Sequence, residues 1–155
     1  MINLGVNINS DYPDYNPSLT LDESTLFFTS RRPRKDSNQL SNIGIYSPID
    51  GKHYEDIYVS YKDLKTNKWS SPKLMTFCKP NSHQATVSVS GDGEQLLIYK
   101  GDSENDSEIY YTTRESDFHR LKPLEPVTSK YWENHVTVSS DGNTMYFVSD
   151  NVKGL

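Results

Sequence analysis

Thr86-Val87-Ser88-Val89-Ser90-Gly91-Asp92-Gly93-Glu94-Gln95-Leu96-Leu97-Ile98-Tyr99-Lys100 is the stretch whose reading decides the fold. It reads as a strand, a tight turn at Asp92-Gly93, and a second, more apolar strand. Asp-Gly between two such runs is a strong hairpin signal, because glycine supplies the positive φ these turns need.

Two further segments match it in register without a gap. One runs Asn16-Pro17-Ser18-Leu19-Thr20-Leu21-Asp22-Glu23-Ser24-Thr25-Leu26-Phe27-Phe28-Thr29-Ser30. The other runs His135-Val136-Thr137-Val138-Ser139-Ser140-Asp141-Gly142-Asn143-Thr144-Met145-Tyr146-Phe147-Val148-Ser149. The last copy keeps Asp141-Gly142, and the Asp92 and Asp141 carboxylates are expected to hold their turns by accepting nearby amides. The first copy has Asp22-Glu23, so its turn is expected to differ in type or to bear strain.

The repeat extends on both sides of the hairpin. Upstream, residues 8–14 parallel residues 127–133, with Asp14, Gln84 and Glu133 at one position in the three copies. Downstream, Asp56-Ile57-Tyr58 parallels Glu108-Ile109-Tyr110 as a third strand, and Trp69-Ser70-Ser71-Pro72 opens into a fourth. Four-stranded units repeating every 40 to 50 residues or so are the signature of propeller blades.

The chain is therefore expected to be an all-β propeller segment of four-stranded antiparallel blades. Blade 1 covers roughly residues 8–76, blade 2 roughly 77–126, and an incomplete blade 3 roughly 127–155. Strands are expected at roughly 16–21, 25–30, 56–61 and 68–74, then 85–90, 95–100, 108–114 and 119–124, then 136–140 and 144–149. The first-to-second spacing is longer by about twenty residues than the second-to-third. The excess falls between Arg31 and Tyr54, a polar stretch that reads as a surface loop. About two and a half blades do not close a ring, which generally takes at least four. The segment is thus expected to need further blades of its parent chain, or to associate through its open ends.

Composition agrees with a folded, β-rich chain. The hydrophobic fraction is 34%, yet 11 Tyr, 5 Phe and 2 Trp are present, and disordered chains are poor in aromatics. The net charge is -5, which leaves no electrostatic footprint for nucleic acid. No apolar run approaches the roughly 20 residues that span a bilayer, and no secretory leader is visible at the start. Cys78 is the single cysteine, expected to be buried and inert because no basic neighbour activates it.

The pattern Ser-x-x-Tyr-x-acid, Ser-x-Asp-Gly, acid-Ile-Tyr and Trp-Ser-x-Pro resembles TolB-type propeller repeats. It is most similar to the version in Bacteroidetes envelope proteins that join tetratricopeptide repeats, a propeller and an OmpA-like domain, the PorE-like lipoproteins of type IX secretion among them. That resemblance implies a periplasmic, outer-membrane-tethered, peptidoglycan-linked binding module. The fold implies no single task, because propellers host many.

Candidate binding residues lie in two groups. Asp14, Gln84 and Glu133 precede the inner strands and either ring a ligand entrance or bond backbone donors between blades. His83, Trp132 and His135 lie beside this row, as a binding hot spot or as blade packing. Arg31, Arg32, Arg34 and Lys35 form the one basic cluster, either an anionic-partner grip or a solubilising loop tip, the latter being the default. The acidic run from Gly101 to Glu108 reads as a solvated turn. No metal-ligand spacing, cofactor motif or nucleophile elbow is present.

Three functions are therefore in play. The first is a non-catalytic interaction module of the envelope with a protein or cell-wall partner. The second is an accessory or gating propeller of an attached peptidase or glycan-active hydrolase. The third is glycan cleavage on the propeller itself, which needs a convergent carboxylate pair for which Asp14 and Glu133 are the candidates.

Overall fold

A computed structural model of the chain describes residues 3–34, 46–103, 106–125, 127, 131, 133–139 and 143–151. Among these residues the protein is all-β, with one three-residue 3-10 turn at Arg114–Ser116. No helix there is long and apolar enough to cross a membrane.

The first sheet runs β1 (Asp14–Leu19), β2 (Thr25–Ser30), β3 (Asp56–Asp63), with two short outer strands, β4 (Lys68–Trp69) and β5 (Lys73–Leu74), both on β3. The second runs β6 (His83–Val89), β7 (Gln95–Ser103), β8 (Asp106–Thr113), β9 (Lys122–Pro123). The third is the pair β10 (Glu133–Val138) and β11 (Met145–Ser149). All pairings are antiparallel. On either side of the expected turn, Gly101 to Ser103 and Asp106 to Glu108 continue the β7–β8 ladder, with Lys100 opposite Glu108 and Gly101 opposite Ser107.

The repeat is visible in hydrogen bonds. Thr20, Ser90 and Ser139 each close a hairpin twice over. Their amides bond the carbonyls of Thr25, Gln95 and Thr144 at 3.0, 2.8 and 2.8 Å. Their hydroxyls accept from those same residues' amides at 3.1, 2.9 and 3.0 Å. The first turn does not differ in type: Glu23 donates to the Thr20 carbonyl at 2.9 Å as Gly93 does to Ser90 at 2.8 Å. The strain falls on Glu23, held at φ 56. Asp92 accepts the Glu94 amide at 3.0 Å; Asp141 lies outside the described residues.

Some strand bounds differ from the sequence reading. The first strands begin at Asp14, His83 and Glu133, because pairing continues through Asp14–Ser30, Gln84–Lys100 and Glu133–Ser149. The acid-or-amide row therefore lies inside these strands, not before them. Each first strand also carries a bulge at an equivalent place, which spacing alone does not reveal. The fourth strand of blade 1 is broken at Ser70-Ser71-Pro72, where Pro72 has no amide to donate. That of blade 2 shortens because Asp117 and Phe118 are left-handed, at φ 51 and 55.

Alternation along the second strands builds two blade junctions. Phe27 faces forward with Ile57 and Val59 to meet Leu96 and Ile98, closed by Met75, Phe77, Cys78 and Phe118. Leu97 and Ile109 face forward to meet Val127 and Val136, with Met145 and Phe147 packed against them. Leu26, Phe28 and Tyr58 face the other way, covered by Ile8. Each fully buried side chain of this size is worth about 1.5–3 kcal/mol.

Ile8, Cys78 and Val127 occupy one repeat position. Their amides bond the carbonyls of Gly5, Met75 and Leu124 at 3.1, 3.1 and 2.9 Å. Polar ties also cross the first junction: the Thr86 amide donates to Thr29 Oγ1 at 2.9 Å, and the Gln84 amide to the Glu55 carbonyl at 3.0 Å. On β11 the forward-facing Tyr146 and Val148 are 64% and 53% exposed. Among the described residues no blade covers them, and no ring is closed.

Candidate functional site

The end of blade 1 where β2 stops and β3 starts gathers most of the polar chemistry. Register sets the row: Asp14 pairs with Ser30, and Ser30 with Asp56. The chain leaving β2 thus places Arg32 and Arg34 above the carboxylates that open β1 and β3, and Arg31 beside Glu55, just before β3.

The arginines do not form a solubilising loop tip. Arg32 donates to Asp14 Oδ1 at 2.9 Å, Ser30 Oγ at 2.7 Å and the Ile8 carbonyl at 2.7 Å. Its guanidinium lies 5.2 and 5.0 Å over the rings of Phe28 and Tyr58. Arg34 grips both oxygens of Asp56 and donates to the Lys79 carbonyl at 2.7 Å, tying blade 1 to the linker toward blade 2. Arg31 pairs with Asp50 at 2.5 Å and with Glu55. Their side chains retain 13%, 16% and 26% exposure for Arg31, Arg32 and Arg34. Partly buried cations with matched carboxylates are structural ties, which overturns the reading from charge alone. Lys35 lies outside the described residues.

Glu55 is the hub. Its Oε1 accepts from Tyr15 at 2.7 Å and from Arg31, and its Oε2 from His83 Nδ1. Burial pushes this carboxyl up, but bonds from His83, Tyr15 and Arg31 outweigh it and hold the pKa at about 2. Asp14 is likewise lowered: burial raises it, and hydrogen bonds from Ser30, Arg32 and Ser10 win. Asp56 moves up because burial exceeds the pull of Arg34. Burial, with Asp56 nearby, pushes the Cys78 thiol to about 12, which makes it a poor nucleophile.

His83 also reaches Ser47: its Nε2 lies 3.0 Å from Ser47 Oγ. Ser47, His83 and Glu55 therefore stand in the order of a hydroxyl–imidazole–carboxylate triad. Ser47 is 1% exposed, and its Oγ accepts the Ile49 amide at 3.3 Å. A nucleophile must meet its substrate; this hydroxyl is sealed within the fold.

Ser47 begins the inserted hairpin. Tyr46 bridges His53, Ser47 bonds the Lys52 carbonyl at 2.7 Å, and Asp50 caps the Lys52 amide at 3.0 Å. On its outside the hairpin carries an aromatic row. Tyr46 stacks on His53 at 4.6 Å, and Tyr12 meets His53 edge-on at 5.5 Å. Tyr12, Tyr46 and Ile49 are 42%, 58% and 51% exposed.

The sequence-derived candidates distribute unevenly. Asp14, His83, Gln84, Arg31, Arg32 and Arg34 converge here. Asp14 and Gln84 serve their own entry segments rather than bridging blades: the Ser10 amide donates to Asp14 at 2.6 Å and the Lys79 amide to Gln84 at 2.9 Å. Glu133 sits in the third sheet and accepts from Ser149 Oγ at 3.1 Å. The Asp14–Glu133 pair is thus split between first and third sheets, with Asp14 already engaged. Trp132 lies outside the described residues. His135 lines a groove of about 430 Å³ on the side of the first strands, with Asn16, Thr86 and Val87. Sequence reasoning missed Glu55, Asp56, Ser47 and the Tyr12–His53–Tyr46 row. The acid pair directly before a third strand, facing an arginine run at the end of the second, was the available signal. Among the described residues no group of three or more His, Cys, Asp or Glu converges to hold a metal ion.

No family model matches the chain, and no curated protein matches it. A solved structure does. The crystal structure of TolB from Acinetobacter baumannii aligns with 94% of this chain at 18% identity, with a TM-score of 0.58. The chain spans 29% of that protein's length. At this identity the likeness establishes the TolB-like propeller fold.

Proposed function

We propose that this chain is a non-catalytic interaction module, a propeller segment of an envelope-associated protein, and that it binds a protein partner through the inserted hairpin of blade 1. One observation carries the reading: Tyr46 and Ile49 are exposed on a hairpin tied down by Arg31–Asp50 and Ser47–His83, with the exposed Tyr12 packed beside it on His53. Exposed aromatic anchors on a preorganised surface are what protein hot spots are made of. The arginines beside the row are occupied by carboxylates, which argues against an anionic partner. Envelope location, at the periplasmic face of the outer membrane, rests on the resemblance of the repeat motif to Bacteroidetes envelope proteins.

The test is capture from envelope extracts followed by titration of the purified captured protein against the 155-residue chain. Tyr46→Ala and Ile49→Ser are expected to weaken that interaction at least tenfold, which is about 1.4 kcal/mol. Unchanged affinity in both variants removes the hairpin from the contact surface. Turnover of peptide or glycan substrates by the wild type overturns the non-catalytic assignment.

A further inference from the structure

We infer that Ser47, His83 and Glu55 form an inter-blade lock, in which a residue of blade 2 positions the inserted hairpin of blade 1 and so presents its aromatic row. This inference rests on the proposed role of that row.

The lock joins the inserted hairpin, through Ser47, to four other pieces of chain. Glu55 stands directly before β3, Tyr15 lies in β1, Arg31 follows β2, and His83 opens β6. The carboxylate takes three donors from these elements. With Nδ1 turned to Glu55, the imidazole presents Nε2 to Ser47 across 36 positions of sequence. Its ring also lies 4.6 Å from that of Tyr54. Ser47 is flanked by Tyr46, the most exposed ring of the row, and its Oγ accepts from Ile49, the exposed aliphatic residue.

The chemistry suits a lock. With Nδ1–H given to Glu55, a neutral imidazole accepts from the Ser47 hydroxyl. A charged imidazole donates to the same oxygen instead, because a hydroxyl serves either way. The contact therefore survives a change in the imidazole's charge. A buried serine and a half-buried histidine on different blades also make the hairpin's position depend on how blade 2 seats against blade 1. His83 and Ser47 are thus positioning residues for a surface they do not reach.

Hydrogen exchange on the full chain tests this. His83→Ala and Ser47→Ala are each expected to speed exchange of the Gly51 and Lys52 amides, which do not bond the Ser47 hydroxyl, at least tenfold, with β7–β8 amides unchanged. At these two amides the double variant is expected to be no worse than the more affected single, since both singles break the one His83–Ser47 contact. Protection within twofold of wild type, or effects that multiply in the double variant, overturns the lock. Should His83→Ala also expose β7–β8, Ser47→Ala alone carries the test, because it trims one oxygen from the hairpin. Covalent labelling of Ser47 by a serine-directed fluorophosphonate likewise overturns it, since the hydroxyl must then be reachable. Loss of protection with unchanged partner affinity in Tyr46→Ala sinks the proposed contact surface and leaves the lock standing.

Discussion

Glu23 holds in the first hairpin the left-handed backbone position that Gly93 holds in the second, with φ 56 at one and 73 at the other. A side chain in that region costs about 1–2 kcal/mol that glycine does not incur. Its ion pair with Lys62, at 3.5 Å, is too exposed to offset the strain. Glu23→Gly is therefore expected to stabilise the chain by about 1 kcal/mol in urea unfolding. A loss of stability would show that the turn is not strained.

Gly93 is the converse case. A Cβ there would stand 2.9 Å from Thr20 Cγ2 and 3.1 Å from Arg114 Nη2, on a backbone already at positive φ. Gly93→Ala is expected to cost about 1–3 kcal/mol. Gly91→Ala, two positions away with nothing within 4 Å of the added carbon, should stay within about 0.5 kcal/mol. Thermal melts of the two variants compare them directly, and equal losses would refute the account.

Two buried threonines across the first junction should respond in opposite ways. Thr29 Oγ1 accepts the Thr86 amide at 2.9 Å, so Thr29→Val strands a buried donor and should cost about 1–3 kcal/mol. Thr86 Oγ1 is buried and has no hydrogen-bond partner. Thr86→Val removes a desolvated hydroxyl and should be neutral or stabilising. Denaturant midpoints at constant m-value measure both, and a large loss in Thr86→Val would mean its hydroxyl is satisfied.

Glu55 sets an acid limit. Its folded pKa of about 2 lies below its ordinary 4.5, so the stability it contributes is fully present above the unfolded value. That contribution disappears as pH falls from about 4.5 toward 2. Glu55→Gln is expected to cost about 2 kcal/mol between about pH 5 and 8, the gap from wild type narrowing in acid. A gap that stays constant down to about pH 2.5 would show that the carboxylate's charge is not what holds Tyr15, Arg31 and His83.

Much of the fold was legible because it repeats. Three hairpins in register, each with a hydroxyl at Thr20, Ser90 or Ser139, declare the same local structure three times. Apolar alternation at Phe27, Leu97 and their neighbours follows from the two-residue period of a strand. The site was legible only in part. Asp14, His83, Gln84 and the arginines were picked out by position or charge, but their partners were not. Glu55 is 24 positions from Arg31 and 28 from His83, and no local rule pairs residues across such gaps.

What the sequence by itself determined, then, is the strand, turn and blade plan, because those depend on neighbours a few residues apart. Tertiary structure decided what the charges mean. Arg31, Arg32 and Arg34 look like a free basic patch until the β1–β2–β3 register places Asp14, Glu55 and Asp56 beneath them. Ser47 carries no signal of its own, and His83 is one candidate among several, until the seating of blade 2 on blade 1 brings them together. Electrostatic and hydrogen-bond partners are set by distance in space, and that distance exists only once the sheets have packed.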